Sequence, residues 1–407
     1  NLSTYYSVND VAEAEVGSTR VISRKVKSIG VSLNNASRFS FSPNADLTLA
    51  YGGEFYADDQ TGRDNTTADG TRGGVPDATG RFYGAFVQAE LAMRQPFGAP
   101  GVLTVIPGVR WDKFQNEATG EPPTSEDALS PKIGVSYKPV EQLLLFGNWA
   151  EAFRAPSFNE TYADNLHFQI PNFQTFPPSL VSNFFITNTD LVPEESETWE
   201  VGAGVEFDNI VVEGDRFGAK MSYYKSDVTN LIDLEVNIPV GCFGAPFPPC
   251  GSGEPFGNFS RYVNVTNADI DGFELESSYD SRYFYARANF STISGRDVAT
   301  DDYVGILSPN KFFIDAGLRA PMFDIRFGSR VTIAGAFDKV NDPTEARDGY
   351  TVADIYAVWE PLSGPLKGLR LDVGVDNITD EDYEVISVGV SEPGQNYKVA
   401  LSWRWAM

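Results

Sequence analysis

Apolar and polar residues alternate one for one along much of this chain. Trp199, Val201, Ala203, Val205 and Phe207 interleave with Glu200, Gly202, Gly204 and Glu206. Leu369, Leu371, Val373 and Val375 interleave with Arg370, Asp372, Gly374 and Asp376. The stretch 325–333 repeats the pattern, with Arg326, Gly328, Arg330 and Thr332 on its second face. A period of two marks strands with one apolar and one polar face. A soluble sandwich would turn the polar face to water. A membrane barrel turns the apolar face to lipid and lines its lumen with the polar one. Alternation alone permits both.

The connections between strands separate the two cases. Short ones fall at 97–101, 139–142, 208–209, 281–282, 321–324 and 363–368, and long ones near 59–80, 157–195, 228–258, 295–310 and 379–394. Short turns alternating with long loops is the outer-membrane pattern. It predicts an all-β fold: a transmembrane antiparallel β-barrel with about 15 strands, or 16 counting a partial one at the start. The final strand places Tyr397, Val399, Leu401, Trp403 and Trp405 on one face, aromatics suited to a membrane interface, before Ala406 and Met407. With a periplasmic C-terminus, the short turns are periplasmic and the long loops extracellular. The polar stretch 59–80 is expected to be mobile. The Phe- and Pro-rich stretch that follows Phe168, to about Leu191, reads as irregular.

Composition sharpens this picture. The 37 Gly, 18 Tyr and 29 Phe residues suit pleated strands and tight turns. A net charge of −25 argues against nucleic-acid partners, which require basic patches. No apolar run is long enough for a transmembrane helix. The opening NLSTYYSV carries no signal peptide and reads as the start of a fragment or trimmed chain. Cys242 and Cys250 close the small loop CFGAPFPPC, which suggests a disulfide in an oxidising compartment, a free pair in a reducing one being the alternative.

Candidate chemistry is sparse. His167 is the single histidine of the chain. No G-x-S-x-G accompanies it, no phosphate-cradling glycine loop is present, and a zinc site would need several His or Cys ligands. No enzyme and no resident cofactor are therefore expected. What surrounds His167 is a distinct constellation: FRAPSFNETYADNLHF over 153–168, followed by NTDLVPEESETWEVG.

This constellation resembles TonB-dependent outer-membrane receptors, and more narrowly their haem/haemoglobin branch. That branch carries an F-R-A-P motif, here Phe153, Arg154, Ala155 and Pro156; a histidine after it, here His167 between Tyr162 and Phe168; and N-P-N-L before the next strand. The third motif departs from the pattern, with Asn188, Thr189, Asp190 and Leu191 in its place. The similarity continues through VNVTNADIDGFELE and VGVDNITDEDYE. It implies a barrel of about 22 strands occluded by an N-terminal plug. On that basis residues 1–407 are expected to be the C-terminal two-thirds of the barrel, with the plug outside this chain.

The resemblance also implies partners and roles. Haem, free or from a haemoprotein, is the expected transported ligand, with His167 as an axial iron ligand and a plug histidine completing the site. The TonB complex would supply energy through the missing N-terminal region. The receptor would be a monomer surrounded by outer-membrane lipid in a Gram-negative bacterium. Porphyrin wants aromatic walls, for which Tyr162, Phe168, Phe173, Phe176, Phe184 and Phe185 are candidates, although packing of the long loop is the commoner use of such rings. The propionates want a cation, and Arg154 is the candidate, a structural role at the strand end being its alternative. The acids Asp190, Glu194, Glu195 and Glu197 read as a solvated strand entrance. Three other functions fit parts of the pattern: a ferric-siderophore receptor, in which His167 is dispensable; a passive 16-stranded porin; and a soluble β-sandwich.

Overall fold

Strands follow one another along nearly the whole chain, interrupted by one short α-helix. The computed structural model describes residues 1–172, 177, 179–237, 259–265, 267–305, 307–385 and 387–404. Cys242 and Cys250, and with them the expected disulfide, lie outside these residues, as do Phe173, Phe176 and Trp405.

The first seven strands are β1 (Leu2–Ala14), β2 (Val21–Ser42), β3 (Ala45–Asp64), β4 (Ala78–Arg94), β5 (Val102–Ala118), β6 (Thr124–Val140) and β7 (Leu143–Arg154). Helix α1 (Phe158–Tyr162), β8 (Leu166–Asn172) and β9 (Ser179–Phe185) come next, then β10 (Glu194–Asp208) and β11 (Arg216–Thr229). β12 (Ile232–Val236) and β13 (Phe259–Asn264) precede β14 (Ala268–Asp280) and β15 (Phe284–Asp297). The chain ends with β16 (Lys311–Ala320), β17 (Ile325–Ala334), β18 (Tyr350–Trp359), β19 (Leu369–Asp376) and β20 (Asn396–Trp403).

Sixteen of these strands form one antiparallel meander, in the order β1 to β7, β10, β11 and β14 to β20. The expected partial first strand is a full one: β1 spans 13 residues and pairs with β2 throughout. β1 and β20 each pair with a single neighbour, so this sheet does not close on itself as a 16-stranded porin would. The short turns fall within a few residues of where the sequence predicts them, but two connections at the long-loop end, 15–20 and 119–123, are short as well. The turn expected at 208–209 spans 209–215, because Asp215 gathers the backbone N–H groups of Ile210, Val211 and Val212 at 2.7, 2.8 and 2.9 Å and holds a wider turn closed.

β8, β9, β12 and β13 build a second, four-stranded sheet in the order β12-β13-β9-β8. It is built from strands of the two largest connections, so the described residues between 168 and 191 include paired strands where their Phe and Pro content suggests an irregular run. A single-layer sheet buries little by itself. All eight residues of β20, the last strand of the sheet, are exposed, and Tyr397, Val399, Leu401 and Trp403 share its apolar face. Several of the buried apolar residues, Tyr162, Leu191, Ile232 and Ala268, lie in or beside the long connections. β2 and β3 run for 22 and 20 residues. Roughly half that length crosses a bilayer, so the wall continues beyond it as a platform for the loop sheet.

Candidate functional site

The path to His167 begins where β7 stops. Pro156 has no N–H to offer the ladder, and β7 stops at Arg154, two residues before it. Ser157 then caps α1. Its hydroxyl accepts from the Glu160 N–H at 3.3 Å, and the Glu160 carboxylate accepts from the Ser157 N–H at 2.7 Å, a complete capping box. Without such a cap a helix of five residues would have little to hold it.

Arg154 locks this corner. Its guanidinium grips Glu194 in a fork, Nε to Oε2 at 2.6 Å and Nη2 to Oε1 at 2.7 Å, and bonds Glu160 Oε2 through Nη1 at 2.8 Å. Glu194 lies directly opposite Arg154 in the β7–β10 ladder and also accepts the Ile232 N–H at 2.8 Å. One cation thus ties together β7, α1, β10 and, through Glu194, the start of β12. Arg154, a candidate propionate contact by sequence, is committed to two carboxylates here, and Glu194 is a clamp rather than a solvated entrance residue. Phe153 packs edge-on against Phe114 with ring centroids 5.5 Å apart. Pro156 accepts from Asn116 through its carbonyl at 3.3 Å.

Tyr162 is also an anchor. It is 1% exposed, donates its hydroxyl to the Asn116 carbonyl at 2.8 Å and accepts from the Thr124 N–H at 3.1 Å. It therefore offers no open ring face to a ligand, which corrects its expected place in a porphyrin wall. Asn188 donates to the Tyr262 carbonyl at 2.8 Å, and its backbone N–H bonds the Thr161 carbonyl at 2.9 Å. Leu191 is 4% exposed. Asn188 and Leu191 thus fix the end of the loop, even though the motif around them departs from the family pattern.

His167 stands apart from these anchors. Asn165, at φ 65°, turns the chain into β8. The β8–β9 register steps from Leu166↔Phe184 to Phe168↔Asn183, so His167 is the extra residue of a β-bulge. Bulges re-aim side chains and recur beside functional sites. The imidazole packs against Phe185 at 4.1 Å and Phe168 at 4.8 Å between ring centroids. Its Nδ1 lies 3.0 Å from Ser260 Oγ, and Ser260 in turn donates to Asn183 Oδ1 at 2.7 Å. Among the described residues, no hydrogen-bond partner faces Nε2. Partial burial pushes the imidazole below the usual histidine range, only partly offset by Asn183. A half-buried neutral imidazole with a free nitrogen is a competent metal ligand.

The polar stretch expected to be mobile proves to be a neighbour of this site. β3 runs on to Asp64, and the loop 65–77 lies against β8. Gly74 donates its N–H to the Asp164 carbonyl at 3.0 Å, and a Cβ on Gly73 would sit 1.9 Å from the Leu166 carbonyl oxygen. Glycine there is what allows two backbones to touch. Arg72, next to Gly73, is 20% exposed at its side chain and lies 3.8 Å from Glu13. Ser260, Asn183 and this loop escaped sequence reasoning, because nothing in GNFSRYVN, SLVSNFF or TRGGV distinguishes them from ordinary loop residues.

A meander of amphipathic strands with long loops gathered at one end is the wall of a transmembrane β-barrel. The chain belongs to the TonB dependent receptor-like, beta-barrel family, whose model matches residues 1–378. It is 26% identical over 403 residues to the hemin receptor of Yersinia pestis, covering 98% of this chain and 54% of that protein. It is 26% identical over 380 residues to heme/hemopexin utilization protein C of Haemophilus influenzae, covering 92% and 50% of the two chains. The chain spans about half the length of the curated relatives it matches. Among solved structures, the hemophore receptor HasR of Serratia marcescens, in complex with its hemophore HasA and heme, superposes with a TM-score of 0.76 at 22% identity, covering 99% of this chain and 62% of HasR. The copper transporter OprC superposes at 0.72 and 16% identity, covering 99% and 61%. The fold is thus shared by proteins named for different cargo.

Proposed function

We propose that this chain forms barrel wall and extracellular loops of an outer-membrane receptor for TonB-dependent haem uptake. His167 binds the iron from the extracellular side. The observation that carries this reading is the imidazole itself, bulged out of β8, flanked by Phe168 and Phe185, with Nε2 free among the described residues. One imidazole cannot chelate a bare ion, but it suits an iron that arrives with four ring nitrogens of its own. The two phenylalanines give the flat, apolar macrocycle a matching surface. Relatives named for hemin and heme point the same way. Arg154 supports the site by clamping the loop corner to Glu160 and Glu194. Energy reaches the receptor through TonB, by way of a region outside these residues, in the outer membrane of a Gram-negative cell.

The test is a haemin titration of the full-length receptor followed through the Soret band, wild type against His167→Ala. The variant should lose affinity or change its iron coordination. If the two bind haemin alike, or neither binds, the haem reading falls and a ferric siderophore becomes the favoured cargo.

A further inference from the structure

The hydrogen-bond chain behind His167 has a direction, and that direction can be worked out. It begins at Asn183, which is 0% exposed. The Asn183 Nδ2 lies 2.8 Å from the Asn237 backbone carbonyl. A carbonyl can only accept, so the amide NH2 must face it, and the amide oxygen must face the other way, towards Ser260. Ser260 Oγ is 2.7 Å from that oxygen. An amide oxygen carries no hydrogen, so the hydrogen of this bond belongs to the serine hydroxyl. Serine has only one. Towards His167 Nδ1, 3.0 Å away, Ser260 can therefore only accept, and Nδ1 must carry a hydrogen. A neutral imidazole has a single N–H, so Nε2 is left with its lone pair.

We infer that Ser260 and Asn183 are positioning residues that hold His167 in the Nδ1–H tautomer and present Nε2 as its only ligating nitrogen. Ser260 is 0% exposed, so no bulk water competes for its hydroxyl. The chain of bonds crosses two loops. His167 and Asn183 belong to β8 and β9, whereas Ser260 is on β13 and Asn237 follows β12. The parallel pairing of β13 with β9, Ser260 opposite Phe185, is what brings them together. The free nitrogen is therefore prepared only when both large loops are assembled. An N–H donated to a fixed acceptor also orients the ring and raises the basicity of the other nitrogen, and loss of such a partner typically costs about 10–100-fold in metal affinity.

The tautomer stands on hydrogen-bond geometry alone; what Nε2 then binds rests on the haem reading. The experiment keeps the two apart. The full-length receptor is labelled with 15N-histidine, and two-bond 1H–15N correlations are recorded without haemin at a pH where the ring is neutral, with His167→Gln assigning the signals. The expected wild-type spectrum shows a protonated Nδ1 and a bare Nε2, the less common tautomer of free histidine in water. Ser260→Ala should move the population towards Nε2–H, and Ser260→Thr, which keeps the hydroxyl, should restore it. In haemin titrations, Ser260→Ala should bind about 10–100-fold more weakly. A wild-type ring protonated at Nε2 overturns the inference whatever haemin does, and so does a tautomer that Ser260→Ala leaves unchanged. Normal haemin binding by His167→Ala would instead refute the haem reading while leaving the tautomer intact.

Discussion

Arg154 is where two readings of one residue make opposite predictions. As a ligand contact, its removal would weaken binding and leave the loops undisturbed. As a clamp, its removal would loosen the loops first. The structure supplies the magnitude. Arg154 makes three charge-assisted bonds of 2.6 to 2.8 Å, two to Glu194 and one to Glu160. A buried bond of this kind contributes about 1.5–3 kcal/mol. The Arg154 side chain is 45% exposed, however, while Glu160 and Glu194 are each 15% exposed. Solvent screening on the arginine side lowers the total, and both acids keep a backbone N–H partner in the variant. Arg154→Ala should therefore cost about 2–3 kcal/mol, localised to the loop corner. At about 1.4 kcal/mol per tenfold, that is roughly a 30- to 150-fold rise in the opening equilibrium of α1 and the β8–β9 hairpin. Hydrogen exchange of the full-length receptor in detergent or nanodiscs reads this directly, with the barrel-strand amides as an internal control. Arg154→Lys, which cannot form the fork, should fall between the two. If loop protection is unchanged in Arg154→Ala while haemin affinity drops, the clamp argument is wrong and Arg154 meets the ligand.

Two further outcomes are expected. Tyr162→Phe removes the hydroxyl that bonds Asn116 and Thr124 in a buried setting; it should destabilise the loop corner by about 1–3 kcal/mol, read as faster proteolysis within 155–193, with the Soret spectrum of bound haemin unchanged in shape. Burial, reinforced by the charges of Glu121 and Asp69, raises the Asp164 carboxyl above its usual range against the smaller pull of Asn165. A raised acid binds its proton more tightly folded than unfolded, so its contribution to stability is greatest below about pH 3.9 and is lost as pH rises through the folded value. Asp164→Asn should therefore protect the loop better than wild type near neutrality, and this advantage should vanish under acid conditions; hydrogen exchange of both forms across that range checks the sign.

Most of the architecture was legible before any coordinates, for a local reason. In an antiparallel meander each strand bonds to the next strand in the chain, so facing, pairing and turn length are written within a few tens of residues. That is why the alternation in Trp199–Phe207 and the short turns at 281–282 and 321–324 led to the right wall. The alternation of turn lengths even indicated which end would carry His167. Local reading failed where hydrogen bonds that the hydrophobic pattern does not show set the backbone: Asp215 closes a wider turn through its carboxylate, and contact with β8 gave the loop after Asp64 a fixed seat.

The site divides along the same line. The sequence by itself determined that the chain is a wall of alternating strands, that its one imidazole lies on a long loop, and that the Phe153–Pro156 motif stands at the foot of that loop. Only the tertiary structure decided what those residues do. Arg154 meets Glu194 across 40 positions, Tyr162 meets Asn116 across 46, and His167 meets Ser260 across 93. Hydrogen bonding and burial act on neighbours in space, and two loops folded into one sheet make neighbours that the order of residues does not announce. That assembly turned an arginine and a tyrosine into anchors and left the histidine with Nε2 unpartnered among the described residues.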